Sequence, residues 1–199
     1  DGDGYGVSNL STYACSQPSG YSLSPGDCND NNSTVNPGAA EQCNLTDNNC
    51  NGQIDEGASC RVAVYKGYRN DSDAYFYTTS VGEYNSVSNM TGYGIAYYIY
   101  SQPAPGLTLW YRCYSSQWDS HFYTTSSSCN GVSHFNMEGA MGYVANGQVP
   151  NSTNLYRAHR NVQPKTHHFT TNYSEHLNLL NQPNWNNEGT AVYVWAQSN

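Results

Sequence analysis

Alternating apolar and polar positions fill the last two thirds of the chain and predict short β-strands rather than helices. Runs such as GIAYYIY from Gly94, GAMGYVA from Gly139 and GTAVYVW from Gly189 alternate as a half-buried strand does. The 19 tyrosines in 199 residues strengthen this prediction, because Tyr, Thr and Val suit a pleated surface and the strong helix formers are scarce. The pattern predicts a mostly β fold.

The same pattern occurs three times along residues 62–199. The copies contain YFYTT from Tyr75, HFYTT from His121 and HHFTT from His167, at equal spacing. Each segment follows a Tyr/Arg-containing strand and precedes one of the alternating runs, so each copy reads as strand, polar turn, strand, longer loop and strand. We therefore predict three repeats, at about 62–106, 107–153 and 154–199.

Three repeats of this length can close into a pseudo-threefold β domain over residues 61–199. Closure would remove the unpaired edges that a Tyr-rich sheet otherwise exposes. A small propeller and a sandwich are the alternatives. The signature YR…HFYTT…EG…Y resembles an uncharacterised repeat domain of bacterial secreted proteins. That resemblance implies a β-trefoil-like fold and brings no agreed activity.

Residues 1–60 have a different character, because the whole net charge of −8 lies there. This region contains eight acidic residues and no Lys or Arg, whereas the seven acids and seven bases after it cancel. Like charges at this density destabilise a compact fold unless cations neutralise them. A disordered acidic tail is the alternative, but the spacing of the acids favours a cation site.

The segment DNNCNGQIDE, residues 47–56, matches the first part of an EF-hand-like calcium loop. Oxygen ligands alternate at Asp47, Asn49 and Asn51, and Gly52 follows at the position of the sharp turn. Ala58 stands where an EF-hand has its bidentate Glu, so this loop is not an EF-hand, and Asp55 or Glu56 would have to complete the shell. Oxygen ligands in this number favour calcium over zinc or copper.

Two further segments have similar spacing. DGDGYG, from Asp1, matches the middle of the same loop pattern, and its first ligand would lie before Asp1, where a neighbouring chain could supply it. DCNDNN, from Asp27, alternates oxygen ligands again, and Glu41 follows soon after. Three such segments without a basic residue predict more than one calcium ion.

Five of the seven cysteines lie within the acidic region, namely Cys15, Cys28, Cys43, Cys50 and Cys60. A short polar region cannot bury much core, so disulfides and metal ions are the expected substitutes. Cys113 and Cys129 could bridge each other in the second region, and the odd number leaves one thiol over. This usage predicts an oxidising, extracellular environment.

The whole run from DGDGYG through PGDCNDNN and NPGAAEQC to DNNCNGQIDEG resembles the metal-binding motif repeat of MopE-type surface proteins. It is also similar to thrombospondin type 3 calcium repeats. Together, the spacing and the resemblance nominate a set of metal ligands: Asp1, Asp3, Asp27, Asn29, Asp30, Asn31, Glu41, Asp47, Asn49, Asn51, Asp55 and Glu56. Because several are Asn rather than Asp, we expect weak binding, roughly 10⁻⁴ to 10⁻³ M.

The second region carries no motif of a known enzyme class. His121, His167 and His168 could be ligands or general bases, but structural hydrogen bonding between repeats is the favoured interpretation. No nucleophile elbow, zincin motif or phosphate-binding loop occurs, so we expect no enzymatic activity. The acidity disfavours nucleic acid as a partner, and no apolar run long enough for membrane insertion is present.

Three functions therefore remain. The first is an extracellular structural or adhesive surface protein, in which calcium joins copies head to tail into a filament. The second is a lectin-like module that binds surface glycans, and the third is an accessory domain of a larger secreted enzyme. The unlike side chains at equivalent repeat positions favour the structural role.

Overall fold

A computed structural model describes residues 1–57 and 59–198, so Ala58 and Asn199 lie outside the described residues. The chain forms two compact units, residues 1–60 and residues 61–198. The fold is mostly β, which confirms the predicted fold class. Within the described part of the chain, no helix is long and apolar enough to cross a membrane.

The first unit contains little regular structure. Its strands β1 (Tyr5–Val7) and β2 (Ser24–Asp27) pair in parallel, and turns and irregular segments make up most of the rest. Two disulfides, Cys28–Cys50 and Cys43–Cys60, cross-link it. Among its described residues, Val35 and Cys60 are the buried hydrophobic side chains. Cross-links and turn hydrogen bonds therefore replace a hydrophobic core.

One nine-stranded antiparallel sheet, made of three groups of three strands, builds the second unit. In each group the first strand lies between the other two, which pair with it on opposite sides. In chain order the strands are β3 (Arg61–Arg69), β4 (Ala74–Thr78), β5 (Met90–Tyr100), β6 (Leu107–Ser115), β7 (Ser120–Thr124), β8 (Asn136–Ala145), β9 (Thr153–Arg160), β10 (Thr166–Thr170) and β11 (Trp185–Val194).

The last strands of the three groups contact one another in a ring. Tyr100 of β5 pairs with Tyr143 of β8, Ala145 of β8 pairs with Tyr193 of β11, and Trp195 pairs with Tyr98 of β5. The strand pairing does not confirm the β-trefoil assignment or the three repeats, which both stay predictions; the word repeat below refers to the predicted ranges.

Two helices occupy stretches that the sequence pattern assigned to loops. Helix α1 (Val81–Ser86) begins after Ser80 and helix α2 (Tyr173–Leu180) begins after Asn172. The side chain of each preceding residue accepts a hydrogen bond from the backbone N–H three positions on, as an N-cap does. In the corresponding part of the second repeat, a short 3-10 helix over Cys129–Gly131 carries Cys129, whose disulfide to Cys113 is present.

An aromatic triad lies at the centre of the second unit. The rings of Tyr77, Tyr123 and Phe169 meet edge to face, with centroids 5.3 to 5.6 Å apart, and all three are fully buried. The Tyr77 hydroxyl donates to the Phe169 carbonyl at 3.0 Å and accepts from its N–H at 2.8 Å. The Tyr123 hydroxyl makes the same pair of bonds to the backbone of Tyr77. Each tyrosine therefore ties one repeat to the backbone of another.

Candidate metal centre

Three carboxylates of the first unit converge, on Asp1, Asp3 and Asp27. One oxygen from each lies within 4.8 Å of the others, and among the described residues this is the one such group of His, Cys, Asp and Glu. Asp3 precedes β1 and Asp27 ends β2, so the strand pair helps to hold the two segments side by side. Three negative charges at this distance repel one another strongly unless a cation lies between them.

Each of these carboxylates also shapes its own turn. Asp1 Oδ1 accepts from the Asp3 N–H at 3.2 Å, Asp3 Oδ1 from the Tyr5 N–H at 2.8 Å, and Asp27 Oδ1 from the Asn29 N–H at 2.7 Å. These contacts are Asx turns, which fix the side chain relative to its own backbone. The carboxylates are therefore oriented by the local sequence.

The second oxygen of two of these carboxylates has no partner among the described residues. Oδ2 of Asp3 and Oδ2 of Asp27 are both buried without a hydrogen bond within the described residues, and Asp27 as a whole is only 5% exposed. A buried carboxylate oxygen is unfavourable unless a donor or a cation compensates it. The N-terminal cluster of Asp1, Asp3 and Asp27 thus has the chemistry of a site for a hard cation.

Side-chain oxygens of the 47–56 loop accept hydrogen bonds from the loop's own backbone. Asp47 accepts from the N–H groups of Asn51 at 3.2 Å and Gly52 at 2.7 Å, and Asn51 Oδ1 accepts from the Gln53 N–H at 2.8 Å. Gly52 has a φ of +87°, a left-handed conformation that favours glycine. The backbone therefore turns around the oxygens of Asp47, Asn49 and Asn51.

Glu56 closes this loop. Its Oε1 accepts from the side-chain amides of Asn49 at 2.7 Å and Asn51 at 2.5 Å, and the bond from Asn49 is the main reason that the pKa of Glu56 lies below its ordinary value. Its Oε2 is buried and has no partner among the described residues. Glu56 is therefore the carboxylate that contacts the side chains of this loop.

Two other predicted ligands, Glu41 and Asp55, accept hydrogen bonds from backbone N–H groups. Glu41 accepts from three backbone N–H groups, those of Asn48 and Asn49 at 2.8 Å and that of Asp55 at 2.9 Å. Asp55 is fully buried, and its carboxylate accepts from the N–H groups of Asn44 and Leu45 at 3.0 to 3.2 Å. Glu41 therefore positions the 47–56 loop through three of its backbone N–H groups, and Asp55 joins that loop to the backbone of the preceding segment.

The remaining predicted ligands follow Asp27. Asn29 Oδ1 accepts from the Asn31 N–H at 3.4 Å, and the Asp30 carbonyl accepts from the Asp1 ammonium at 3.5 Å. All three residues, Asn29, Asp30 and Asn31, are exposed. They border the N-terminal cluster, but no carboxylate of this segment other than that of Asp27 joins it.

His121 and His167 lie beside ion pairs of the second unit. His121 Nε2 lies 3.3 Å from Glu138 Oε2, which also accepts from Arg112 at 2.8 Å, and these two donors hold the pKa of Glu138 below its ordinary value. His167 Nε2 lies 3.6 Å from Glu188, and burial lowers the pKa of His167 well below its ordinary value. These contacts favour the structural interpretation.

His168 has a closely packed polar environment. Its Nε2 lies 2.8 Å from Lys66 Nζ and 3.1 Å from Glu175 Oε1, and Lys66 and Glu175 are themselves 2.8 Å apart. Hydrogen bonds from His168 and Lys66 hold the pKa of Glu175 far below its ordinary value. The cluster joins β3 of the first repeat to β10 and α2 of the third.

Comparison with known families supports the metal-binding interpretation of the first unit. A family model described as "Putative metal-binding motif" (Cu-binding MopE) matches residues 27–56, and one described as "Domain of unknown function (DUF5648)" matches residues 111–195. No curated protein and no solved structure matches the chain. The first match contains Asp27 and the 47–56 loop, while Asp1 and Asp3 precede it. The motif indicates a metal and does not decide which one.

Proposed function

We propose that residues 1–57 form a calcium-binding module of an extracellular protein, with one ion at Asp1, Asp3 and Asp27 and a second at the 47–56 loop. The observation that carries the proposal is the convergence of three carboxylates, two of which have a buried oxygen with no partner among the described residues. Glu56 Oε2, which is buried beside Asn49 and Asn51 and likewise has no partner within the described part of the chain, is the equivalent feature of the second loop. The residues present fit a hard cation at both places.

Calcium fits these donors better than other common metals. Both groups consist of carboxylate and amide oxygens, whereas zinc and copper prefer imidazole and thiolate ligands. Magnesium demands a nearly ideal octahedral shell, and loops built from Asx turns suit the larger and more variable shell of calcium. The bound ions would neutralise the acidic region, and the second unit would serve as a non-enzymatic scaffold.

Three disulfides support an oxidising environment for this protein. With two of these disulfides in the first unit, metal ions and covalent links together would stabilise a region that has almost no core. We therefore propose a structural role for calcium in a secreted or surface protein.

Calorimetric titration with calcium, magnesium, zinc and copper(II) tests the metal assignment. Asp3→Asn and Asp27→Asn should each weaken calcium binding at the first site by about tenfold or more, because each removes a charge while keeping the side-chain shape. Asp71→Asn is the matched control, since Asp71 is a partly exposed acid that pairs with Arg69 in the other unit. Tighter binding of zinc or copper than of calcium would contradict the proposal.

The adhesive, filament-forming and glycan-binding roles suggested by the sequence stay predictions. Sedimentation velocity with millimolar calcium and again with excess EDTA tests assembly. Large particles that form with calcium and dissociate without it would support a filament. A monomer in both conditions would contradict it and would make a glycan-binding screen the next experiment.

A further inference from the structure

We propose that the Cys28–Cys50 disulfide couples the two metal sites, so that an ion in either site raises the affinity of the other. The inference rests on the proposed calcium function. Cys28 directly follows Asp27 of the N-terminal cluster, and Cys50 lies between Asn49 and Asn51 of the second loop. One covalent bond therefore joins a ligand-bearing segment of each site.

Contacts around the disulfide hold the two segments tightly. The Cα atoms of Cys28 and Cys50 are 5.6 Å apart, and the Cys28 N–H lies 3.1 Å from Cys50 Sγ. Cys28 Sγ also lies 3.9 Å from the carbonyl oxygen of Asp47, the first oxygen-bearing residue of the second loop. A displacement of Asp27 would therefore move the backbone at Cys50, through the disulfide, and at Asp47, through its carbonyl. These two residues lie on either side of Asn49.

A hydrogen-bonded route runs beside the covalent one. Asn48, which is 1% exposed, accepts from the Asn36 N–H at 2.9 Å through its carbonyl, and its side chain donates to the Thr34 carbonyl at 3.5 Å. Its own N–H donates to Glu41. These bonds tie the chain that follows Asp27 to the second loop, so an experiment must separate their contribution from that of the disulfide.

The expected consequence is positive cooperativity. An ion at the first site fixes Asp27 and, through the disulfide, the segment around Cys50. The second loop then loses less conformational entropy when its own ion binds. Thermodynamic linkage requires that the second ion raise the affinity of the first site by the same factor, typically about 5- to 150-fold in coupled sites.

Residue-resolved calcium titration by ¹H–¹⁵N NMR can follow the two sites separately. The Tyr5 N–H donates to Asp3 and reports the first site, and the Gly52 N–H donates to Asp47 and reports the second. Asp3→Asn alters the first site at a position remote in sequence from Cys28. We expect it to raise the calcium midpoint at Gly52 by about fivefold or more.

Cys28→Ser with Cys50→Ser should abolish this dependence, so that Asp3→Asn no longer changes the midpoint at Gly52. Cys113→Ser with Cys129→Ser is the matched control, because it removes a disulfide from the second unit and should leave the coupling intact. Within the fully oxidised protein, Glu56→Gln should likewise raise the calcium midpoint at Tyr5, because linkage acts in both directions.

The outcomes are distinguishable. Calcium that moves neither reporter would overturn the calcium function, and the coupling with it. Calcium that moves both reporters, with no effect of Asp3→Asn on Gly52, would overturn the coupling alone. Coupling that survives the loss of Cys28–Cys50 would assign it to the Asn48 route and overturn the role of the disulfide. If the double serine variant does not fold, the oxidised protein still tests the coupling: no shift at Gly52 after Asp3→Asn together with no shift at Tyr5 after Glu56→Gln would overturn the proposal.

Discussion

At the residue scale, the hydroxyl of Tyr77 has a role that its ring cannot fulfil. The hydroxyl donates a hydrogen bond to the carbonyl of Phe169 and accepts one from its N–H, so both backbone groups are bonded within the protein. Tyr123 does the same for Tyr77, and Phe169, which has no hydroxyl, cannot do so for another residue. The rings fill the core, and the two hydroxyls fix the repeats to one another.

Tyr77→Phe should therefore destabilise the second unit by about 1–3 kcal/mol, because it leaves a buried backbone N–H and carbonyl without a partner. Urea unfolding monitored by intrinsic fluorescence measures the change. Tyr93→Phe is the matched control, since Tyr93 is 56% exposed and its loss of a hydroxyl should change stability by less than about 0.5 kcal/mol. Equal effects of the two substitutions would contradict this role of the hydroxyl.

His168 should make the stability of the protein depend on pH. Burial lowers the pKa of His168 below its ordinary value, Lys66 lowers it further, and the hydrogen bond with Glu175 opposes both effects. A histidine with a lowered folded-state pKa binds its proton more readily in the unfolded chain. Its contribution to stability is therefore present above the unfolded pKa near 6.5 and is lost as the pH falls below it.

Stability should fall between pH 7.5 and pH 5, by at most about 1.4 kcal/mol per pH unit for each histidine of this kind. His168→Phe should reduce that slope, and Phe is the natural replacement because Phe76 and Phe122 occupy the same repeat position. His159 and His167, whose pKa values burial also lowers, account for a remaining slope. Unfolding curves at several pH values test this, and identical slopes for the variant and the original protein would refute it.

At the element scale, helices α1 and α2 are the features that the strand pattern did not predict. Both begin with a capping residue followed three positions later by Glu, in SVGE from Ser80 and NYSE from Asn172. This spacing is a known helix-start signal, so the sequence did contain the information. The helices are only 6 and 8 residues long, too short for an apolar periodicity to be visible.

Asn172→Ala should destabilise the second unit by about 0.5–2 kcal/mol, because the Glu175 N–H loses its side-chain acceptor at the start of α2. Asn178→Ala is the control within the same helix. Asn178 is exposed, and alanine is the better helix former, so that change should be neutral or stabilising by a few tenths of a kcal/mol. Thermal unfolding distinguishes the two, and a neutral Asn172→Ala would show that the cap is dispensable.

At the scale of the whole molecule, the two units derive their stability from different sources. The second unit buries a continuous apolar cluster that includes Trp110, Leu155 and the central aromatic triad. The first unit relies on two disulfides, on carboxylates such as Glu41 that bind backbone N–H groups and, in our proposal, on calcium. Removal of metal should therefore affect one unit and spare the other.

Amide hydrogen exchange with 10 mM calcium and with EDTA tests this difference. If each site binds with the expected affinity of about 10⁻⁴ to 10⁻³ M, calcium should stabilise the first unit by about 1.4–2.7 kcal/mol per site. Amides of residues 1–57 should then exchange about 10- to 100-fold more slowly with calcium, whereas those of the β-strands in residues 61–198 should not change. Uniform slowing across both units would contradict a calcium module confined to the first.

The sequence by itself determined the features that depend on local spacing. Alternation of apolar positions set the β-strands, and alternation of Asp47, Asn49 and Asn51 before Gly52 set a loop whose side-chain oxygens accept from its own backbone, because both patterns act within a few residues. The concentration of acids and cysteines in residues 1–60 likewise indicated metal ions and disulfides without reference to tertiary structure.

Tertiary structure alone decided which carboxylates meet. Asp1, Asp3 and Asp27 converge although a long, irregular segment separates them in sequence, and no local pattern encodes that approach. Glu41 and Asp55 are also predicted ligands, yet their carboxylates accept hydrogen bonds from backbone N–H groups, those of residues 48, 49 and 55 for Glu41 and of residues 44 and 45 for Asp55. A carboxylate's role depends on which donors the fold brings to it, and the residue type cannot specify that.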